Sequence, residues 1–223
     1  MIYKDRLDAG NRLALELSRY KGQDAIILAL PRGGVAVAAP IAEALGAPLD
    51  LVLVRKIGVP MQPELAMGAV VDGADIAVVR NEDIILLSGT SEQEFKHASD
   101  RELVEIERRR DLYLKGRPRA EVKGRVAIVI DDGIATGATT RAALQALRKR
   151  APKKLVLAVP VAPVSTLEDL SEEADEIVCL ERHEPFYAIS AYYEDFHQVT
   201  DAEVIAALSK ARPPVAAPAA QTS

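Results

Sequence analysis

Short apolar runs separated by helix-like segments constrain this chain more than any other feature. The runs are Asp24–Leu30, Leu49–Val54, Val126–Ile130, Lys154–Val161 and Glu176–Leu180. A short apolar run without alternation is how a strand covered on both faces reads. Between the runs, Asp5–Tyr20 places Leu13, Leu17 and Tyr20 at helical spacing, and the alanine-rich Val35–Leu45 ends at Gly46. Ser91–Leu114 opens on a capping-box pair, Ser91 and Glu94, and sets Leu103, Ile106 and Tyr113 on one face. Thr140–Arg150, Ser165–Glu173 and Asp201–Lys210 are further helices by the same criterion, and Leu65–Val71 with Ile76–Val79 predicts a hairpin about Asp72–Gly73. Alternation of this kind predicts an α/β fold: a mostly parallel twisted sheet with helices on both faces. The 223 residues are enough for one such domain and few for two.

The charge balance limits what this domain can attract. At a net charge of −5 the whole-chain field draws in neither nucleic acid nor an anionic substrate, so any anion needs a local pocket. The lone Cys179 cannot form an internal disulfide and reads as a small core residue. His97, His183 and His197 lack metal-ligand spacing. No apolar run approaches the ~20 residues of a membrane helix. Met1–Arg12 mixes charges without a signal-peptide core, so a cytoplasmic protein is expected. The Pro- and Ala-rich stretch 213–223 has no periodicity and is expected to be disordered.

In open α/β sheets ligands bind beyond the carboxyl ends of the strands. After Val126–Ile130 come Asp131, Asp132, Gly133, Ile134, Ala135, Thr136, Gly137, Ala138 and Thr139, and then a helix. The glycines let the backbone turn tightly, the small side chains leave its amides uncovered, and the threonines add hydroxyl donors at a helix N-terminus. That combination suits a phosphate group. It is neither a Walker A loop nor a dinucleotide fingerprint. The acidic pair before it would repel phosphate and must serve another partner. Carboxylates accept hydrogen bonds from sugar hydroxyls and hold Mg²⁺. Phosphate on one side and a vicinal diol on the other describe a phosphorylated pentose.

Two further strand ends carry anion-binding groups. Pro31-Arg32-Gly33-Gly34 follows Asp24–Leu30, and Arg55-Lys56 follows Leu49–Val54. Each alone could be a turn or a solvated basic pair. Together with the acidic loop they point to one crevice. Aromatic residues are only 4% of the chain, yet Phe186, Tyr187, Tyr192, Tyr193 and Phe196 cluster near its end, either as a satellite core or as a wall for a planar ligand.

Val126–Thr140 resembles the phosphoribosyl pyrophosphate (PRPP) motif of type I phosphoribosyltransferases. The wider chain, from Asp5-Arg6 through Ala29–Val35 to Tyr192-Tyr193, resembles a group of predicted bacterial phosphoribosyltransferases without assigned acceptors. The resemblance implies that Asp131 and Asp132 hold the ribose hydroxyls, with Mg²⁺ bound indirectly, and that Ala135, Thr136, Gly137, Ala138 and Thr139 wrap the 5-phosphate. It implies that Arg32, Gly33, Gly34 and Lys56 take the pyrophosphate, through a strained or cis peptide in the loop after the first strand. Residues 58–119 would supply a lid or dimer element, with Pro60–Glu64 as lid candidate, and residues 183–200 a hood in which Tyr192, Tyr193 and Asp195 meet a nitrogenous acceptor. Residues 1–212 would then form a single transferase domain. From the charge balance and the short apolar runs, neither nucleic acid nor membrane is expected as a partner, and a homodimer is the expected assembly. Two rival readings stand beside it: a non-catalytic PRPP- or nucleotide-binding regulator, and a different sugar-phosphate enzyme.

Overall fold

The computed structural model describes residues 2–72 and 76–214. Gly73 of the expected turn and most of the expected disordered tail, 215–223, lie outside these residues. Among the described residues, a five-stranded sheet runs in the order β2 (Leu49–Leu51), β1 (Ala25–Ala29), β6 (Val126–Ile130), β7 (Lys154–Pro163) and β8 (Glu176–His183). Every neighbouring pair in it is parallel. β1 and β6 pair in register from Ala25 with Val126 to Ala29 with Ile130, so their carboxyl ends finish side by side.

Alternate residues along these strands feed two cores. Ile27, Ala29, Ile128 and Ile130 pack with α1 (Arg6–Glu16), α2 (Gly33–Leu45) and α7 (Asp201–Lys210). Ile26, Leu28, Ala127 and Val129 pack on the other side with α5 (Ala138–Arg148) and α6 (Val164–Asp169). This explains why the runs show no polar alternation: both faces are covered. Burying each large aliphatic side chain contributes about 1.5–3 kcal/mol.

A second, three-stranded antiparallel sheet joins β3 (Val54–Val59), β4 (Gln62–Val71) and β5 (Ala77–Arg80). The expected hairpin is β4 with β5. The expected strand Leu49–Val54 is corrected here. β2 stops at Leu51, and Val54 already belongs to the second sheet, so Lys56 sits on an antiparallel strand instead of a parallel strand's end. The buried run is continuous across this change of sheet, because Val52 and Leu53 are also buried. A short helix, α3 (Glu82–Ser88), follows without having been expected, and α4 (Glu92–Leu114) opens on the Ser91–Glu94 capping box as read. Ile106 and Tyr113 are buried on its inner face, and Leu103 packs beside them. α2 starts at Gly33 and α5 at Ala138, two residues earlier than the sequence reading in each case, so both loops feed directly into helix N-termini. Cys179 is only half-buried, against the second core, and burial pushes its thiol up to about 11. Among the described residues no helix is long and apolar enough to cross a membrane.

Candidate active site

The loops after β1 and β6 meet at the carboxyl edge of the sheet. The Pro31–Arg32 peptide bond is cis. Gly33 and Gly34 lie flat on the acidic pair: a Cβ on Gly33 would stand 1.8 Å from Asp132 Oδ2, and one on Gly34 2.7 Å from the Ile130 carbonyl oxygen. Only glycine allows the two loops to touch this closely.

The acidic pair is held from several sides. The Asp132 amide donates to Asp131 Oδ1 at 2.9 Å. Burial, and then the neighbouring Asp132 charge, raise the Asp131 carboxyl well above the usual carboxylate range. Two crowded, desolvated carboxylates of this kind are relieved by hydroxyl donors or by a cation. Arg6, from the first turn of α1, donates from Nε to Asp132 Oδ2 at 2.7 Å. The Tyr193 hydroxyl donates to the Asp132 carbonyl oxygen at 2.6 Å.

Beyond the pair the chain forms an open cradle. Ala135, Thr136, Ala138 and Thr139 are exposed. Gly137 is the N-cap of α5, in the left-handed conformation at φ 74°, and offers no side-chain cap. The first amides of α5 are therefore uncapped by a side chain, at the positive end of the helix dipole. Thr166 Oγ1 donates to the Ala135 carbonyl oxygen at 2.8 Å, and the Ile134 amide to Val161 at 3.0 Å, so the start of α6 and the end of β7 brace the loop. The cradle opens onto a cavity of about 550 Å³ whose wall includes Thr136, Thr139, Lys56 and Arg141. Thus β3, from a different sheet, still brings Lys56 to this cradle. Lys56 Nζ lies 3.4 Å from Glu64 Oε2, an exposed partner. Arg32 leans instead toward the start of α7, with Nη1 3.6 Å from Asp201 Oδ1.

The aromatic cluster forms a cap that joins the N-terminal segment at Tyr3 to the stretch Phe186–Phe196. Tyr3 pairs with Tyr193 in a parallel bridge, and the Asp195 amide donates to the Lys4 carbonyl oxygen at 2.9 Å. Tyr3, Tyr193 and Phe196 pack ring on ring, with centroids 5.3 Å and 4.9 Å apart. Tyr193 is buried, and its hydroxyl is committed to the Asp132 loop. Tyr192 stacks on Phe186 at 5.4 Å beside His183. Asp195 is exposed and holds His197, whose Nδ1 lies 3.1 Å away. The sequence marked Arg6 only as part of the stretch that carries the resemblance and assigned it no role. Its contact with Asp132 spans 126 positions, and no local pattern signals it.

Comparison with known proteins agrees with this architecture. A family model described as "Phosphoribosyl transferase domain" matches residues 1–197. "Putative phosphoribosyl transferase Rv0571c" of Mycobacterium tuberculosis strain H37Rv is 42% identical over 210 residues, which is 94% of this chain and 47% of that protein. A counterpart from strain CDC 1551 of the same species matches equally, so the chain spans about half the length of these curated relatives. The crystal structure of TT1426 from Thermus thermophilus superposes with a TM-score of 0.83 at 39% identity, covering 95% of this chain and all of that one. With its parallel sheet, paired glycine loop and acidic loop in place, the chain belongs to the phosphoribosyl transferase family.

Proposed function

We propose that this chain transfers a 5-phosphoribosyl group from Mg²⁺–PRPP to a nitrogenous, nucleobase-like acceptor in the cytoplasm, with release of pyrophosphate. The carrying observation is the seating of Gly33 and Gly34 on Asp131 and Asp132, with an uncapped helix N-terminus directly beyond. In this reading Asp131 and Asp132 accept the ribose hydroxyls, and residues 135–139 hold the 5-phosphate on amides and threonine hydroxyls. The backbone of Arg32–Gly34 and the Lys56 ammonium receive pyrophosphate. The crowded acidic pair fits a divalent cation held through water or the ribose oxygens. Mg²⁺ would neutralise the pyrophosphate as it leaves.

The C1–oxygen bond to pyrophosphate breaks with its electron pair going to the leaving group. The acceptor nitrogen supplies the pair for the new C1–N bond and loses its proton. The protein's part is orientation and charge stabilisation. Tyr192 and Asp195 remain acceptor contacts in this reading, whereas Tyr193 acts by holding the Asp132 loop. Residues 58–119 serve as lid or dimer element, and the aromatic cap as hood.

Asp132→Asn tests the donor assignment. Calorimetry should show Mg²⁺–PRPP binding weakened on the order of a hundredfold, the scale of losing charge-assisted hydrogen bonds. Unchanged affinity would remove Asp132 from the site. A screen of purines, pyrimidines and small amines for pyrophosphate release then separates enzyme from regulator. PRPP binding without release by any acceptor would favour the regulator, and phosphate release from simple sugar phosphates would favour a hydrolase.

A further inference from the structure

We infer that Arg6 is a positioning residue that locks the cap to the donor loop and aims the Asp132 carboxylate at the ribose. This rests on the donor reading given above and goes beyond it. The Arg6 side chain is 8% exposed and the Asp132 side chain 14%. The guanidinium divides its donors between two structures. Nε reaches Asp132 Oδ2 at 2.7 Å, and Nη1 reaches the His197 carbonyl oxygen at 2.9 Å. Its flat face lies over the Phe196 ring, with Cζ 3.8 Å from the centroid. The base of the side chain is fixed as well, because Asp5 caps α1 by accepting from the Asp8 amide at 2.8 Å.

Each contact has a consequence for the site. An Nε–H on a guanidinium held at both its other contacts pins the position of Oδ2, which a flexible ammonium does less well. With Oδ2 bound to Arg6 and pressed against Gly33, the rotation of Asp132 is set before any ligand arrives. The fixed positive charge also offsets part of the acidic pair's repulsion toward a phosphorylated ligand. Phe196 and His197 belong to the cap, so any shift of the cap moves the guanidinium and the carboxylate it holds.

The test titrates the intact chain with Mg²⁺–PRPP and, separately, with inorganic phosphate, which occupies the 135–139 cradle without needing Asp132. Arg6→Gln should weaken Mg²⁺–PRPP on the order of tenfold and leave phosphate affinity unchanged. Arg6→Lys should recover part of that loss. Phe196→Leu, which keeps the ion pair but removes the ring beneath it, should fall between Arg6→Gln and the parent protein. Equal loss of both ligands in Arg6→Gln would make Arg6 merely structural and overturn the inference. Tighter Mg²⁺–PRPP binding would overturn it too, by showing that Arg6 competes with the ribose. If Asp132→Asn binds poorly while Arg6→Gln binds like the parent, the Arg6 inference falls alone. A parent chain that does not bind Mg²⁺–PRPP overturns both readings.

Discussion

The two sheets differ in how much freedom they leave their side chains. In the five-stranded sheet, β1 and β6 are buried at every position, and the loops at their ends approach within van der Waals distance. In the three-stranded sheet burial is patchy: Ile57, Val59, Met67, Ala69, Val70 and Val71 are buried between half-buried and exposed neighbours. Its far end, Pro60–Glu64, is exposed, and Met61 is 90% accessible. Its flank is laced with surface ion pairs, such as Arg80 with Glu82 and Glu92. The first sheet therefore holds a geometry that a single added methyl group would spoil. The second supplies a wall and two basic residues on it, Lys56 and Arg80, and its exposed flank should tolerate change. Exposed ion pairs contribute little because water already solvates both partners.

The sharpest way to break this comparison is Gly33→Ala. The new methyl group would meet Asp132 Oδ2 at 1.8 Å and Cγ at 2.4 Å, so the Asp132 carboxylate or one of the loops must move. Mg²⁺–PRPP affinity should fall by on the order of a hundredfold or more, measured by calorimetry, since small misplacements at a site cost that much. Affinity near that of the parent would mean that the two loops are not held as rigidly as their contact indicates.

Next in size is Ile128→Ala, in the centre of β6. It should lower unfolding free energy by about 2–5 kcal/mol in chemical denaturation, through lost burial and an unfilled cavity. A change within error would show that the central strand can collapse around the gap.

An effect at the sheet's edge should be smaller and depend on pH. Burial works against the charge of Glu176, but hydrogen bonds from Lys154, Tyr20 and Arg19 outweigh it and hold the carboxyl at about 2, below its ordinary 4.5. A depressed carboxylate stabilises the fold above the unfolded value and loses that contribution as pH falls from 4.5 toward 2. Arg19 is half exposed, so screening limits the contribution to about 1 kcal/mol. Glu176→Gln should lower the melting temperature at pH 7, and the gap should narrow progressively as pH falls from 4.5 toward 2. A difference that persists undiminished under the acidic condition would point to packing instead of charge.

The smallest effect belongs to the second sheet. Glu92→Gln removes one exposed ion pair to Arg80, on a side chain outside the cavity wall, and should leave both melting temperature and Mg²⁺–PRPP affinity within error. A clear loss of affinity would make that flank part of the site and collapse the contrast between the two sheets.

Local residue patterns were enough to read the parallel sheet, its helices and the PRPP-like loop. Those features are local: apolar runs need cover on both faces, and a glycine- and threonine-rich turn into a helix exposes its own amides. They also showed that residues 131–139 and 31–34 belong at strand ends. Where Leu49–Val54 leaves one sheet for another was not legible, because Asp50 alone interrupts that apolar run and no glycine or proline marks a break before Gly58. α3 was missed for a related reason: Leu86 and Leu87 are exposed, so Glu82–Ser88 lacks a regular apolar face. The contact between Gly33 and Asp132, the engagement of Tyr193 with the Asp132 loop, and the reach of Arg6 from α1 to both the acidic pair and Phe196 were decided only by the tertiary structure. They join residues from about sixty to nearly two hundred positions apart, and such pairings are fixed by how layers pack, which no window of sequence records.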